Sequence, residues 1–262
     1  MMDPKLQKQI IDTGRTFMKH SHMGDNDDFE SDQSLSYPQP PLVKANMRAA
    51  QYAIDLPQNF DDLNMKKDFI QILTERNSSR VFTNEPMNIL QLSFLLWATQ
   101  GVKEVRGKSY ATMRTVPSGG ARHGFETYLY IRKLDGLKPG LYHYLPMEHQ
   151  LEFLDELENA EETVSNSLCG QSWAFKANVV FYWSFAAYRC EWRYGIYAHR
   201  PALMDAGHVG QNLYLACTAL GVGTCAIAAF DNDTCNRMFA LDGEEEFMVY
   251  AAPVGCIKSS DQ

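Results

Sequence analysis

One long amphipathic helix near the carboxyl end constrains this sequence most. Small and apolar residues recur there at helical spacing and form one continuous stripe: Ala206, Val209, Gly210, Leu213, Ala216, Cys217 and Leu220. Gly221 follows the stripe directly, and glycine is the common residue where a helix ends in the left-handed conformation. The small residues Ala206, Gly207 and Gly210 leave room for another helix. The stripe therefore predicts a central packed helix that a second helix can approach closely.

Shorter periodic segments surround this helix, and none of them repeats. Helices are predicted over residues 6–18 and 69–75, and a third from Asn84 to Ala98, where Gly101 stops it. Apolar runs predict strands at six places: 127–131, 141–145, 151–154, 179–183, 225–230 and 247–254. Helices mixed with a meander of strands are typical of an α+β domain.

The first 60 residues differ from the rest in composition. Residues 24–41 are acidic and then rich in proline, which predicts an extended loop docked on the surface. Apolar periodicity of the kind that builds a core begins near Asn59. We therefore predict an N-terminal arm over residues 1–60 and one compact domain over residues 61–262.

Composition and charge exclude several classes of protein. The chain has 262 residues, a net charge of −8 and a pI near 5.4, so it lacks the basic face of a nucleic-acid-binding protein. No apolar run is long enough to cross a membrane, and no signal sequence is visible. The six cysteines form no CxxC pair, which favours reduced thiols in the cytoplasm. Asp205 and His208 are spaced as a metal pair but lack further ligands, so we predict no metal site and interpret them as a helix cap and a partly buried histidine.

A glycine-rich string near the end of the long helix resembles a nucleotide-binding motif. Residues 221–226 read GVGTCA and match the pattern GxGxxG/A. That pattern binds a pyrophosphate only where a strand precedes it and a helix follows. Here a helix precedes it and a strand is predicted to follow. We therefore exclude a Rossmann site, and a helix end leading into a strand explains both glycines.

A second cluster combines two arginines with a hydroxyl. In an extended chain Arg76, Ser78 and Arg80 would project to one face, because side chains alternate along a strand. Guanidinium groups bind oxyanions bidentately and keep their charge, so this face suits a phosphate. Taken alone, the same residues also fit a loop with solvated arginines.

A third cluster is a turn with small residues. The string RTVPSGGARH covers residues 114–123. Its glycines and alanine remove side chains where a flat group could lie against the backbone. Three backbone N–H groups in such a turn could donate to carbonyl or ring-nitrogen acceptors. An ordinary turn before a strand accounts for the string equally well when it is considered alone.

The clusters together are more specific than each alone. The RxSxR segment, LSFLLWATQG, RTVPSGGARH, GLKPGLYHYLP, DAGHVGQNLYLACTALGVGTC and the final APVG occur in this order over residues 70–257. This order resembles the nitroreductase superfamily, and most closely its SagB-type branch of thiazole- and oxazole-forming dehydrogenases. The resemblance implies a mostly antiparallel central sheet flanked by helices, in an intertwined homodimer that binds FMN.

The resemblance also implies a role for individual residues toward FMN. The segment that holds the ribityl phosphate and part of the flavin ring would comprise Arg76, Asn77, Ser78 and Arg80. The segment that lines the isoalloxazine from the other subunit would comprise Pro117, Ser118 and Gly119. Gly221 and Gly223 would belong to the loop that passes the ring near its reactive nitrogen, and Gly255 would match the closing glycine of the family. Relatives often place a basic phosphate ligand after that last glycine, and Lys258 is the nearby cation here.

One departure from the branch concerns proton transfer. Relatives that oxidise azoline rings carry a Lys-Tyr pair thought to move protons, whereas this sequence has Arg193-Tyr194. Arginine keeps its proton at physiological pH, so it cannot replace lysine as a base. The departure disfavours azoline oxidation and leaves Tyr194 as the candidate catalytic residue. The aromatic run over residues 188–200 can also be packing beside the cleft.

These observations favour an FMN-dependent oxidoreductase. It would transfer hydride or electrons between a donor such as NAD(P)H and a small-molecule acceptor. Two alternatives stay open: an FMN-dependent dehydrogenase of azoline rings in a modified peptide, and a non-catalytic scaffold that binds flavin. The partners expected are a second copy of the chain, the electron donor and the small-molecule substrate.

Overall fold

The computed structural model describes residues 2–19 and 29–258. Its helices are α1 (Pro4–Lys19), α2 (Phe69–Glu75), α3 (Ile89–Gln100), α4 (Ala160–Ser167), α5 (Ala187–Tyr194), α6 (His199–Leu220) and α7 (Asn232–Met238). Its strands are β1 (Ala53–Asp55), β2 (Val102–Arg106), β3 (Ala111–Arg114), β4 (Phe125–Ile131), β5 (Gly140–Leu145), β6 (Gln150–Asp155), β7 (Val179–Ala186), β8 (Val222–Thr224) and β9 (Glu246–Cys256). The first residues of the predicted acidic loop, 24–28, lie outside this range.

Seven of the strands form one sheet, and helices cover it. The strand order is β1-β6-β5-β4-β7-β9-β8, with every neighbouring pair antiparallel. Strands β2 and β3 form a separate hairpin. The predicted α+β class with a mostly antiparallel sheet is thereby confirmed.

The central strands are buried on both faces of the sheet. Leu129 on β4 pairs with Phe181 on β7, and both side chains belong to a core that includes residues of α3 and α6. The next pair, Tyr128 and Tyr182, points to the opposite face, where residues of α4 and α7 complete a second core. Because successive side chains of a strand alternate, one apolar run supplies both cores.

The stripe on the long helix is buried as predicted. Leu213 is 1% exposed, and α6 packs against α3 and the sheet. Gly221, at the C-terminal cap, has a φ of 71°, which is the left-handed backbone conformation in which helices commonly end. Gly207, by contrast, faces open space. Among the described residues, no helix is long and apolar enough to cross a membrane.

Two predicted boundaries are wrong. Helix α3 begins after Asn88, not near Asn84, because Asn88 and Gln91 form a reciprocal capping box. The strand predicted over 225–230 is instead β8, three residues earlier. The hydrogen-bond ladder between β8 and β9 stops because Pro253 on β9 has no N–H to continue it. The Pro253 carbonyl accepts from the Thr224 hydroxyl instead.

A buried charge network holds part of the predicted arm on the sheet. His143 lies between Glu126 and Glu152, with Nδ1 2.8 Å from Glu152 Oε1 and Nε2 3.3 Å from Glu126 Oε2. These two carboxylates also accept from the backbone N–H groups of Lys44 and Met47. The arm thus reaches the centre of the sheet, and β1 adds a strand at its edge. The boundary near residue 60 stays a prediction.

Candidate functional site

The segment after α2 lies along the edge of the sheet where β8 and β9 end. The N–H of Ser79 donates to the carbonyl of Thr224 at 2.9 Å, and the N–H of Thr83 donates to the carbonyl of Cys256 at 2.8 Å. These two hydrogen bonds hold the arginine-containing segment, which comprises residues 76–80, beside the glycines that are predicted for the site.

Two of those glycines permit this close approach. A Cβ at Gly223 would lie 2.6 Å from Ser79 Cβ and 2.5 Å from Ile257 Cγ2. A Cβ at Gly255 would lie 2.9 Å from Asn178 Oδ1 and 3.0 Å from a ring carbon of Phe82. Gly223 and Gly255 are paired across β8 and β9. Side chains at these positions would push the segment away from the sheet.

Tyr214 on α6 gathers the first residues of the segment. Its hydroxyl lies 3.0 Å from the hydroxyl of Ser78 and accepts from the N–H of Ala226 at 2.9 Å. The guanidinium of Arg76 lies 5.5 Å from the centre of the Tyr214 ring. The common face predicted for three side chains therefore holds for Arg76 and Ser78.

The third side chain of that predicted face points elsewhere. The guanidinium of Arg80 lies 5.9 Å from the centre of the Trp173 ring. The reason is that residues 76–80 form no regular strand, so their side chains do not alternate strictly. Within the described part of the chain, neither Arg76 nor Arg80 forms an ion pair with a carboxylate; the arginines that do are Arg15, Arg48, Arg106 and Arg189.

A cleft of about 590 Å³ opens between this segment, α6 and the end of β9. Three of the predicted site residues line it: Asn77, Gly221 and Lys258. The Ser79 hydroxyl donates to Asn77 Oδ1 at 2.9 Å, and Asn77 Nδ2 donates to the carbonyl of Glu75 at 3.1 Å, which fixes the amide.

The same cleft contains residues that the sequence did not indicate. Lys66, Ser79 and Tyr214 line it together with the carboxylate of Glu75. Lys66 forms an ion pair with Glu75, and this hydrogen bond lowers the pKa of the Glu75 carboxyl. Nothing in the sequence links Tyr214 to the arginine segment, because their contact depends on how α6 crosses the sheet.

The predicted turn with Pro117, Ser118 and Gly119 lies at the other half of α6. The N–H of Gly119 donates to the Asp205 carboxylate at 3.1 Å, and the N–H of His123 donates to the Ser118 hydroxyl at 2.9 Å. Burial raises the pKa of Asp205, although hydrogen bonds with Ser118 and Gly119 oppose the shift.

Two sequence interpretations of this turn are wrong. The N–H groups expected to face a ligand are used within the turn, since Ala121 donates to the Ser118 carbonyl and Gly119 donates to Asp205. A 3-10 turn over residues 119–121 closes these bonds. Asp205 was expected to cap a helix, but it lies inside α6 and holds the turn.

Tyr194 ends α5 and packs on this turn. A Cβ at Gly119 would lie 3.7 Å from Tyr194 Cε2, and a Cβ at Gly120 would lie 2.5 Å from the Tyr194 hydroxyl. The hydroxyl therefore rests directly on the glycine backbone. This position makes Tyr194 a wall of the turn.

The two groups of predicted residues do not meet within one chain. Asp205 and Gly221 are separated by 16 residues of one continuous helix, which is about 24 Å at 1.5 Å per residue. The turn at 117–119 contacts the first position and the cleft adjoins the second. One chain thus holds two candidate half-sites, one near each end of α6.

Comparison with known proteins agrees with this fold. The model of the nitroreductase family matches residues 73–256. A nitroreductase-like protein of Methanocaldococcus jannaschii is 31% identical over 184 residues, which covers 70% of this chain and 88% of that protein.

Two solved structures show how far the similarity extends. A nitroreductase-like protein of Ralstonia eutropha superposes with a TM-score of 0.65 at 24% identity over 85% of this chain and 100% of that one. The E. coli microcin synthetase complex, solved with truncated pro-MccB17 bound, matches at a TM-score of 0.61 and 17% identity over 98% of this chain and 95% of that one. With the family model covering most of the sequence, the chain belongs to the nitroreductase family.

Proposed function

We propose that the protein is an FMN-dependent oxidoreductase that transfers hydride or electrons from a donor such as NAD(P)H to a small-molecule acceptor. The observation that carries this proposal is the cleft beside residues 76–80. Amide, hydroxyl and lysine groups meet there at the end of a sheet in a nitroreductase-family fold, and the Arg76 guanidinium lies beside the cleft on the ring of Tyr214. That donor set is chemically suited to a phosphate with a polar chain attached to it.

The residues at the cleft fit FMN by charge and by shape. Arg76 and Lys258 would supply cations for a phosphate dianion, and Arg80 would join them by turning away from Trp173. Asn77 and Ser78 would supply polar groups for the ribityl chain. Gly221 faces open space, so a flat ring can approach its backbone. Bound FMN would supply the redox chemistry, because flavins accept hydride and pass electrons onward.

Lys258 is the residue we propose as the last phosphate ligand. It lines the cleft together with Asn77, although Cys256 and Ile257 stand where relatives often place a basic residue. The backbone of Cys256 is fixed by its hydrogen bonds to Asn178 and Thr83. This anchoring holds Lys258, two residues later, next to the cleft.

We also propose that the active protein is a homodimer with two composite sites. The half-sites at the two ends of α6 support this proposal, because an antiparallel copy of α6 would bring one chain's turn near the other chain's cleft. The outer face of α6 carries exposed Leu203 and Met204 beside Gly207, and α2 adds exposed Phe69 and Ile70. Exposed apolar patches of this kind mark interaction surfaces.

Sedimentation at micromolar concentration tests the dimer. We expect a dimer for the wild type and a shift toward monomer, with loss of flavin, for Met204→Asp. Leu35→Asp is the matched control, because Leu35 is 48% exposed and lies on the arm. A folded, flavin-loaded wild-type monomer would contradict the proposal.

A dehydrogenase of azoline rings in a modified peptide is the second candidate. The similarity to the microcin synthetase complex over 98% of this chain, at the level of fold, favours keeping it, as does the SagB-type order of motifs. Against it, Arg193 occupies the lysine position and donates to the Tyr110 hydroxyl, so it is a fixed cation and no base. A scaffold that binds flavin without turnover is the third candidate.

Rapid mixing distinguishes these candidates. The purified flavoprotein is mixed with NADH or NADPH without oxygen, and bleaching of the flavin absorbance is followed. We expect bleaching with at least one nicotinamide and reoxidation by a quinone or nitroaromatic acceptor. If neither NADH nor NADPH bleaches the flavin, the azoline dehydrogenase and the non-catalytic scaffold remain as the candidate functions. The six cysteines, all free thiols in the structure, support our proposal that this reaction takes place in the cytoplasm.

A further inference from the structure

Beyond the turn at residues 119–121 lies a cluster of two arginines, Arg122 and Arg193, and the aromatic rings of Tyr110, Trp192 and Tyr194. Arg122, which follows the turn, is 2% exposed. Its guanidinium lies 4.7 Å from the centre of the Tyr110 ring and 5.4 Å from that of Trp192. Arg193 donates to the hydroxyl of the same Tyr110. The two cations are therefore held on one tyrosine.

The hydrogen bonds of Arg122 go to neutral groups. Nε donates to the carbonyl of Gly120 at 3.1 Å, and Nη2 donates to the carbonyl of Tyr110 at 2.8 Å. Carbonyl groups position a guanidinium but do not neutralise it. Burial lowers the pKa of Arg122; the neighbouring Tyr110 opposes this shift, and the nearby charge of Arg193 adds to it. The fold thus maintains an unfavourable pair of like charges at this place.

No carboxylate compensates these charges in the part of the chain that the structure describes. The ion pairs that arginines form there involve Arg15, Arg48, Arg106 and Arg189. Two acidic groups on the adjacent helices are already engaged: Asp205 on α6 accepts from the Gly119 N–H, and Glu191 on α5 is paired with His199. A buried cation without a counter-ion is costly, so a bound anion would stabilise this arrangement.

The cluster adjoins the surface that we propose for the flavin. A Cβ at Gly120 would lie 2.7 Å from Arg193 Nε and 2.5 Å from the Tyr194 hydroxyl. Gly119, the neighbouring residue, belongs to the proposed flavin-lining segment. An anion between the two guanidiniums would therefore lie next to the place where a second substrate must approach the ring.

The arm closes the outer side of this cluster. Gln33 Nε2 donates to the Tyr110 hydroxyl at 2.9 Å, and the Gln33 N–H donates to the Trp192 carbonyl at 2.8 Å. Phe29 packs so tightly on Gly195 that a Cβ there would lie 2.2 Å from its ring. The arm thus covers one side of the cluster, and reduced contact with water strengthens the attraction between opposite charges.

We propose that Arg122 and Arg193 bind an oxyanion of the second substrate, a carboxylate or a phosphate, and so select anionic substrates. This inference rests on the proposed function, which supplies the flavin and the reaction. Two guanidiniums offer the paired N–H donors that carboxylate and phosphate oxygens accept. The anion can belong to the acceptor or to the phosphate of a nicotinamide donor, and both have the same chemistry at this site.

The test compares two acceptors that differ by one charge. Binding of 4-nitrobenzoate and of neutral 4-nitrobenzamide to the purified flavoprotein is measured by calorimetry, and their reduction by rapid mixing. In wild type we expect 4-nitrobenzoate to bind at least tenfold more tightly. In Arg193→Gln that preference falls below threefold, and Arg193→Lys restores part of it. Arg106→Gln, which changes an exposed arginine of the β2–β3 hairpin that carries Tyr110, should leave it unchanged.

A second arm of the test identifies the source of the anion. Flavin reduction by NADPH and by NADH is compared in the same variants. Loss of an NADPH preference in Arg193→Gln assigns the anion to the donor, and loss of the 4-nitrobenzoate preference assigns it to the acceptor. Either result supports the proposal. If neither preference exists in the wild type, or if Arg193→Gln preserves it, the proposal is wrong.

Direct anion binding separates this proposal from the proposed function. Inorganic phosphate is titrated into the protein by calorimetry, with or without flavin reduction. We expect saturable binding that is at least tenfold weaker in Arg193→Gln and in Arg122→Lys. If phosphate still binds through these arginines but the protein shows no turnover, the proposed oxidoreductase function is wrong and the proposed anion site is supported. Turnover in a protein that binds neither phosphate nor 4-nitrobenzoate through these arginines would refute the anion site alone.

Discussion

Gly223 on β8 and Ser79 on the arginine-containing segment approach so closely that a Cβ on the glycine would lie 2.6 Å from Ser79 Cβ. The N–H of Ser79 donates to Thr224, one residue further along β8. This pair therefore fixes the distance between the predicted phosphate-binding segment and the loop that is predicted to pass the flavin.

Gly223→Ala is expected to displace residues 77–80 and to release FMN. Real Cβ atoms do not approach other carbon atoms so closely, and the neighbour is anchored by its backbone, so the segment must move. We expect flavin occupancy below half that of the wild type, measured by absorbance per chain after gel filtration. Gly14→Ala is the control, because Gly14 faces open space on exposed α1. Equal occupancy in both variants would show that the contact does not shape the site.

Arg76→Ala and Arg80→Ala are each expected to weaken FMN binding. A hydrogen bond with a charged partner contributes about 1.5–3 kcal/mol, which corresponds to roughly tenfold to hundredfold in Kd. Quenching of flavin fluorescence at low salt measures the change. Arg237→Ala, on the exposed surface of α7, is the matched control. Affinity unchanged in both site variants would mean that these arginines only stack on Tyr214 and Trp173.

Tyr194→Phe is expected to leave flavin reduction by NAD(P)H within a few-fold of the wild type. Its hydroxyl rests on the backbone of Gly120 and its neighbour Arg193 is no base, so we assign Tyr194 to the wall of the site. The change in barrier should be on the order of one kcal/mol or less. A hundredfold slower reductive half-reaction with FMN still bound would make Tyr194 catalytic and favour the dehydrogenase.

The charge network beneath the arm predicts a pH dependence of stability. Although burial opposes it, hydrogen bonds with Glu126 and Glu152 raise the pKa of His143 above its ordinary value of 6.5. The protonated imidazole thus stabilises the fold fully below that value, and this contribution is lost as pH rises through the raised pKa. The free energy of unfolding of the wild type should therefore decrease as the pH is raised above about 6.5.

His143→Asn should abolish this dependence and lower the stability. Removing one partner of a buried charged set leaves Glu126 and Glu152 facing each other and costs about 3–5 kcal/mol. Urea unfolding between pH 6 and pH 9 measures both effects, with His199→Asn as the exposed control. A wild-type stability that is flat over this range would contradict the assignment of the charge to His143.

Much of the fold follows from local patterns. The stripe on α6, its end at Gly221 and the strands over 127–154 and 179–183 obey periodicity, and the structure confirms them. The start of α3 depends on a side-chain capping box and the end of β8 depends on Pro253 in another strand. Neither effect can be inferred from the periodicity of apolar residues, so these two boundaries were predicted wrongly.

The site shows a similar division. Arg76, Asn77, Ser78, Gly223 and Gly255 come together because one sheet edge orders them, and their sequence strings indicate this. The contact of Tyr214 with Ser78 and the pairing of Arg122 with Arg193 join segments far apart in the chain. Only the crossing of α6 and the packing of α5 bring these residues together, and no short motif records such crossings.

The identity of the bound chromophore tests the central claim most directly. Protein purified without added cofactor is denatured, and the released compound is separated by chromatography and measured against the amount of chain. We predict a yellow protein that releases FMN and no FAD, at about one FMN per chain after reconstitution with excess FMN. A colourless protein that also fails to bind added FMN would contradict the account.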